Sequence, residues 1–126
     1  LVLATLHTND AASAVTRLTD MGIEPFLLSS SLLGVLAQRL LRKLCGHCGG
    51  SGCAHCGQTG YQGRTGIFEL LVADDTIRAQ IHHKASEADI RASALAQGMT
   101  LMRDDGERLV QAGLTSREEL LRVTRD

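Results

Sequence analysis

The sequence has no tryptophan and only three aromatic residues, which are Phe26, Tyr61 and Phe68. A core formed by this chain must therefore consist mainly of aliphatic side chains. The scarcity of aromatic rings also argues against a surface on which nucleic-acid bases could stack. With 44% hydrophobic and 21% charged residues, the composition is that of an ordinary globular protein, which excludes a disordered or fibrous chain.

Long apolar runs are missing as well. No stretch approaches the roughly 18 apolar residues that cross a bilayer, and no secretory signal pattern is present. We therefore expect a cytoplasmic protein. The chain starts directly on an apolar run and without methionine, and we expect it to be a segment of a longer protein.

Acidic residues are absent between Glu24 and Glu69, although the whole chain has a formal net charge of −1. The same stretch contains the basic residues Arg39, Arg42, Lys43 and Arg64. Four thiolates around a divalent metal ion would add −2 to this stretch and leave about +2. Such a surface either contacts anionic lipid or phosphate or is simply solvated, and both interpretations stay open.

All cysteines of the chain lie within twelve residues. They are Cys45, Cys48, Cys53 and Cys56. Two Cys-x-x-Cys pairs separated by four residues can turn four thiolates toward one point, which predicts a structural zinc with no open catalytic position. Two disulfides or an iron centre are the alternatives, and the missing secretory signal disfavours disulfides. His47 and His55 lie inside the two pairs and are interpreted as surface residues, since four sulfurs already complete the site.

The first residues predict a strand followed by a turn. Leu1 to Leu6 form a short apolar run that is typical of a strand buried on both faces. His7 follows at the carboxyl end of this strand, where open α/β sheets bind their ligands. His7 is therefore a candidate for ligand contact, and the alternative is a hydrogen bond that only stabilises the turn.

Two helices are predicted next. Asn9 or Asp10 can cap the first, which Gly22 ends, and Pro25 suits the first position of the second, which runs to about Leu32. Residues 33–44 are ambiguous between helix and strand. Residues 64–72 are a better strand candidate, and a metal clip that returns the chain would join two antiparallel strands.

Four short helices are predicted after Val72. Their expected caps are Asp74 or Asp75, Ser86, Thr100 and Thr115. Their expected inward residues are Ile77, Ile81, Met102, Leu109, Val110, Leu120 and Val123. The last two helices could be mistaken for a helix-turn-helix motif, but the basic residues there are offset by Glu118, Glu119 and Asp126, so we expect no nucleic-acid binding other than nucleotide.

Several segments, taken in order, resemble one family. They are Leu3-Ala4-Thr5-Leu6-His7-Thr8-Asn9, Arg17-Leu18, Met21-Gly22-Ile23-Glu24-Pro25-Phe26, Leu36-Ala37-Gln38-Arg39-Leu40, residues 53–71 with the second Cys-x-x-Cys pair, Arg103-Asp104-Asp105-Gly106 and Gly113-Leu114-Thr115-Ser116. Together they resemble the GspE family of type II secretion ATPases, which is close to the ATPases of type IV pilus assembly. The first segment looks like the histidine box of that family.

The resemblance implies an α/β fold: the C-terminal end of a RecA-like P-loop ATPase core, with a tetracysteine zinc knuckle on a β-hairpin and a small all-α C-terminal subdomain. The expected divisions are 1–44 for the core, 45–63 for the zinc knuckle, 64–73 for the return strand and 74–126 for the helical subdomain. The resemblance also favours strand over helix for residues 38–44.

For function, the resemblance implies part of a homo-hexameric motor that uses ATP and Mg²⁺ and acts on an inner-membrane secretion platform from the cytoplasmic side. His7 is the catalytic-side residue that it suggests, near the γ-phosphate, and Cys45, Cys48, Cys53 and Cys56 are the zinc ligands. The chain itself contains no G-x-x-x-x-G-K-[ST] loop, so we expect no ATP hydrolysis by the chain alone.

One departure from the family is plain. Its two Cys-x-x-Cys pairs are usually separated by a longer insertion, whereas four residues separate them here, so we expect a shortened metal module.

Two other classes of function stay open. The period of eight in the cysteine segment resembles the zinc repeats of DnaJ-type chaperones, although Gln58 replaces an expected glycine, and a free-standing zinc interaction domain is the third class.

Overall fold

The computed structural model describes residues 1–125. Asp126, one of the acidic residues that offset the basic charge of the last two helices, lies outside the described residues. The helices are α1 (Ala11–Asp20), α2 (Pro25–Ser31), α3 (Asp75–His82), α4 (Glu87–Ala96), α5 (Met102–Gln111) and α6 (Arg117–Thr124). The strands are β1 (Gly34–Leu44) and β2 (Tyr61–Val72), and a short 3-10 turn (Ala54–Cys56) lies between them. None of these helices exceeds 10 residues, so none in residues 1–125 could span a bilayer.

The strands form a two-stranded sheet. The N–H of Ala73 donates to the carbonyl of Leu33, and the N–H of Cys45 donates to the carbonyl of Gly60, so the start of each strand meets the end of the other. The sheet is therefore antiparallel, as the sequence predicts, and the strand interpretation of residues 38–44 is correct.

The chain divides into two compact units, and each strand contributes to both. The first unit comprises residues 1–37 and 69–100, and the second comprises residues 38–68 and 101–126. The core of the first unit is aliphatic: Ala11, Ala12, Val15, Leu28, Leu71, Ala73, Ile77, Ile81, Ile90 and Ala94. The core of the second includes Leu41, Ile67, Met102, Leu109 and Leu120.

The predicted strand at Leu1–Leu6 is wrong for the described structure. Leu1 is fully exposed, and Val2 and Leu3 are each 88% exposed. A strand requires hydrogen bonds to a neighbour, and the sheet formed by residues 1–125 consists of β1 and β2 alone. The apolar run therefore has the composition of a buried strand, but no strand in residues 1–125 pairs with it.

Local capping signals locate most helix starts correctly. Asp10, Asp74 and Ser86 each accept a hydrogen bond from the backbone N–H three residues later. Thr100 is not a cap, because α5 begins after Leu101 without a side-chain cap. Thr115 is wrong by one residue, since Ser116 caps α6.

The contact between α5 and α6 depends on a glycine. A Cβ atom on Gly106 would lie 2.2 Å from Cδ1 of Leu120, whose side chain is fully buried and cannot swing into solvent. Gly106→Ala should therefore lower the free energy of unfolding by up to about 2 kcal/mol, because an overpacking cost of roughly 1–3 kcal/mol is only partly offset by the gain of about 1 kcal/mol in helix propensity. Urea denaturation measures the change.

Gln111→Ala is the matched control, because Gln111 is exposed on the same helix. A Gly106→Ala variant at least as stable as this control would contradict close packing at this position.

Candidate functional site

The four cysteine sulfurs converge at the end of the hairpin. Sγ of Cys45 lies 3.8 Å from Sγ of Cys53, and the separations are 3.9 Å for Cys48 and Cys56 and 3.8 Å for Cys53 and Cys56. All four sulfurs lie within 4.8 Å of one another. These separations are far longer than the roughly 2.05 Å of a disulfide, so the four thiols are free. The cluster could hold a metal ion.

The cluster is made of two similar halves with a spacing of eight residues. In the first, the N–H of Gly52 donates to Sγ of Cys48 at 3.2 Å, and in the second the N–H of Gly60 donates to Sγ of Cys56, also at 3.2 Å. Such hydrogen bonds stabilise a negatively charged sulfur. We call residues 45–60 the cysteine knuckle.

Other contacts repeat with the same spacing. The hydroxyl groups of Ser51 and Thr59 donate to the carbonyl of the cysteine three residues earlier, at 3.0 and 2.7 Å. The rings of His47 and His55 stack, with centroids 3.7 Å apart and an interplanar angle of 11°. Both histidines are exposed, in agreement with their interpretation as surface residues.

The thiols differ in acidity. Desolvation raises the pKa of Cys56, but the N–H groups of Cys53 and Gly60 donate to its sulfur and outweigh this, so its pKa falls to about 6. The pKa of Cys48 is lowered in the same way, against desolvation. In Cys53 a backbone N–H lowers the pKa, but desolvation and the thiols of Cys45 and Cys48 raise it to about 11. Because the thiolate is the metal-binding form, the lowered pKa values of Cys48 and Cys56 favour metal binding.

The backbone of the knuckle is tight where its halves meet. Gly60 has φ +81°, and a Cβ atom there would lie 2.5 Å from the carbonyl oxygen of Gly50, so a larger residue cannot fit. Gln58, which occupies the position of an expected glycine, has φ +66°. The repeat thus keeps its left-handed conformation even where the side chain disfavours it.

A buried carboxylate lies near the base of the knuckle in the second unit. Glu119 is 1% exposed and accepts the backbone N–H of Arg42 at 2.7 Å. The guanidinium of Arg42 donates to both carboxylate oxygens at 3.1 and 3.0 Å, and that of Arg122 donates at 2.7 and 2.9 Å. The hydrogen bonds from Arg122, against desolvation and with help from Arg42, hold the pKa of Glu119 far below its usual range.

Two further contacts attach the hairpin to the loop before α6. The hydroxyl of Thr115 donates to the carbonyl of Arg42 at 2.7 Å, and the N–H of Leu44 donates to the carbonyl of Leu114 at 2.9 Å. The guanidinium of Arg42 also lies 4.2 Å from the centre of the Tyr61 ring. The strands that carry the knuckle are therefore fixed at their base by contacts that do not involve the cysteines.

Comparison with known proteins decides the family. Residues 1–122 match the family described as Type II/IV secretion system protein. The chain belongs to this family. The resemblance inferred from the sequence is thereby confirmed.

Curated relatives align with nearly the whole of this chain. It is 63% identical to the type II secretion system protein HxcR of Pseudomonas aeruginosa, with 100% of this chain and 29% of that protein aligned. It is 50% identical to the type II secretion system protein E of the same organism (100% and 30%) and 44% identical to the type IV pilus assembly ATPase PilB of Thermus thermophilus (98% and 17%). The chain thus spans about 30% or less of these relatives.

A solved structure confirms the fold class. The crystal structure of the pilus retraction motor PilT with bound ADP superposes with a TM-score of 0.69 at 25% identity, covering 96% of this chain and 31% of that one.

The alignments to HxcR and to protein E extend over 134 and 151 positions, more than the 126 residues of this chain. The relatives therefore have residues that this chain lacks, which is the direction that the short spacer between the cysteine pairs predicts.

The structure of this family member places His7 in the first compact unit, on an exposed segment before α1. The cysteines, by contrast, lie in the second unit. Sequence reasoning did not identify Glu69, Arg91 or Glu119 as important. One sequence signal was available for Glu69, because it alternates with the apolar residues Ile67 and Leu71 in a predicted strand. In the structure all three face inward, and Glu69 is 2% exposed.

Proposed function

We propose that this chain is the C-terminal part of a hexameric motor ATPase that drives type II protein secretion. The observation that carries the proposal is the 63% identity to the type II secretion system protein HxcR over 100% of this chain. In this role the protein hydrolyses ATP with Mg²⁺ and acts at the cytoplasmic side of the inner membrane on the secretion platform. The basic residues between Glu24 and Glu69 are the candidates for contact with anionic lipid.

We infer that zinc is the metal of the cysteine knuckle. A tetrahedral ion with Zn–S bonds of about 2.3 Å separates its four sulfurs by about 3.8 Å. Three of the sulfur–sulfur separations in the knuckle, 3.8, 3.9 and 3.8 Å, fit this value. Four sulfur ligands leave no position for water or substrate, so the zinc has a structural role. It supplies the charge that brings four thiolates together, while the glycine N–H groups orient two of them.

His7 is proposed to contact the nucleotide on the side of the γ-phosphate. Support comes from its sequence context, Leu6-His7-Thr8-Asn9, and from its exposed position immediately before a capped helix. An imidazole N–H at the γ-phosphate would stabilise the charge that develops during transfer. The chain contains no phosphate-binding loop, so the remaining catalytic groups come from other parts of the protein.

His7→Ala in the full-length protein tests this function. We expect kcat of ATP hydrolysis to fall by about 100-fold, while the affinity for ADP changes by less than about threefold, because a γ-phosphate contact matters most in the transition state. Residues 1–126 alone should show no turnover above buffer. An equal loss of ADP affinity and turnover would instead indicate a structural histidine.

Type IV pilus assembly is the alternative function, and the 44% identity to PilB is the observation that favours it. A bacterial strain that lacks the motor gene distinguishes the two. Restored export of protein to the medium on complementation supports secretion, whereas restored surface pili without export supports pilus assembly.

A further inference from the structure

The segment that carries His7 is attached to the rest of the first unit by two charged groups. The N–H of Ala11, the first residue of α1, donates to Oε2 of Glu69 at 2.9 Å. One residue earlier, Oδ2 of Asp10 accepts from Nη2 of Arg91 at 2.7 Å. Glu69 and Arg91 are 58 and 81 residues from their partners in the sequence, so these bonds join distant elements, β2 and α4, to the start of α1.

Each of the two hydrogen bonds includes a charged side chain that is at least partly shielded from water. Glu69 is 2% exposed, and its carboxylate meets the positive end of the helix dipole at a backbone N–H that has no partner within α1. The Arg91 and Asp10 side chains are 28% and 24% exposed, so their ion pair is partly shielded from water. Arg91 also pairs with Glu87 on its own helix at 3.2 Å, which limits the rotamers available to its guanidinium.

The Asp10 carboxylate has two functions that can be separated by mutation. Its Oδ1 atom accepts from the N–H and the hydroxyl of Ser13, at 2.8 and 2.7 Å, which caps α1. Its Oδ2 atom binds Arg91. An asparagine at this position would keep a good helix cap and lose the negative charge that Arg91 pairs with.

We infer that Glu69 and Arg91 are positioning residues for His7, which they orient by fixing Asp10 and Ala11 at the start of α1. His7 is three residues from Asp10, a distance of at most about 11 Å along the backbone. A change in direction where the segment leaves α1 therefore changes where the imidazole lies. This inference rests on the proposed nucleotide contact of His7.

A double-mutant cycle in the full-length protein tests the inference, with ATP hydrolysis and unfolding temperature as readouts. Arg91→Gln should lower kcat by between about 10- and 100-fold with a smaller change in KM, since displacement of a catalytic group by about 1 Å costs this much. Arg91→Lys should restore part of the loss, and Asp10→Asn should reproduce it. In a His7→Ala background, Arg91→Gln should cause no further loss, because the residue that it positions is gone.

Arg117→Gln is the control, because Arg117 forms an exposed ion pair with Glu107 in the second unit. The unfolding temperatures of Arg91→Gln and Arg117→Gln should be similar. If Arg91→Gln leaves kcat unchanged, or lowers it equally with and without His7, the inference is wrong while the role of His7 stands. If His7→Ala alone keeps the turnover of the wild type, the proposed role of His7 fails, and the inference fails with it.

Discussion

Replacing Cys48 with serine is expected to release the zinc that we propose for the cysteine knuckle and to loosen residues 45–63 while the helices stay folded. Structural zinc contributes about 10–16 kcal/mol to the folding of small zinc peptides at neutral pH. A glycine-rich segment with few buried side chains cannot compensate for such a loss. The affinity for zinc should fall by more than the roughly 10- to 100-fold that follows from losing a group that only hydrogen-bonds to a ligand.

The boundary of the effect follows from the contacts at the base of the knuckle. Glu119, Thr115 and Leu114 attach the strands to α6 and the loop before it without involving any cysteine. The aliphatic core of the first unit contains no cysteine either. Both features predict that amide hydrogen exchange accelerates in residues 45–63 and little elsewhere.

Metal content by emission spectroscopy and amide exchange by mass spectrometry measure the two effects. His55→Ala is the matched control, since it removes an exposed ring between two ligands and should leave about one zinc per chain. Wild-type protein purified without metal and with four reactive thiols would rule out the zinc site. Unfolding of α3 to α6 in Cys48→Ser would show that the influence of the metal extends further than these contacts indicate.

The second large effect is expected at Glu119. Glu119→Gln should lower the free energy of unfolding by about 3 kcal/mol, because the amide cannot compensate two guanidinium groups, and breaking a buried pair typically costs about 3–5 kcal/mol. We expect the lower end of this range because the Arg42 and Arg122 side chains are 43% and 59% exposed and keep part of their hydration. Urea denaturation with zinc present measures the loss.

The stability contribution of Glu119 also has a defined pH dependence. The pKa of its carboxyl group is lowered in the folded protein from an ordinary value of 4.5. The unfolded chain therefore takes up a proton first, so the contribution is complete above about pH 4.5 and is lost as the pH falls below it. Wild-type stability should decline more steeply in this range than that of Glu119→Gln.

Glu118→Gln is the control for both measurements, since it makes the same change at the neighbouring exposed residue of α6. It should alter the free energy of unfolding by less than about 0.5 kcal/mol. Equal losses for Glu118→Gln and Glu119→Gln would mean that net charge, and not the buried network, determines the effect.

The sequence was sufficient for features that depend on neighbouring residues. The caps Asp10, Asp74 and Ser86 act within one helical turn, and the cysteine spacing is itself local, so both could be predicted. The sequence context of Thr115 predicts a cap as well as that of Ser116 does. Its hydroxyl instead donates to Arg42, 73 residues away, and no local pattern contains that information.

Features that depend on distant partners were missed for the same physical reason. Leu1–Leu6 has the composition of a strand, but a strand forms only when another strand pairs with it. In the sequence Glu119 is not distinguished from the other acidic residues of α6, because its partner Arg42 belongs to β1 and is brought next to it only by folding. Residues such as Glu69 can be suspected in advance, since a carboxylate at an inward position of a strand must find a donor.

The eight-residue repeat in the knuckle determines where this module can change in length. The backbone–backbone hydrogen bonds of the first half close within residues 45–52 and those of the second within 53–60, apart from the one in which the N–H of Cys45 donates to the carbonyl of Gly60. A spacer inserted after Gly52 would leave each half intact and add only loop-closure entropy, about 0.6 kcal/mol for each doubling of loop length. The join between the halves is therefore a point of low-cost insertion, where the module can lengthen while its four sulfurs still converge on one point.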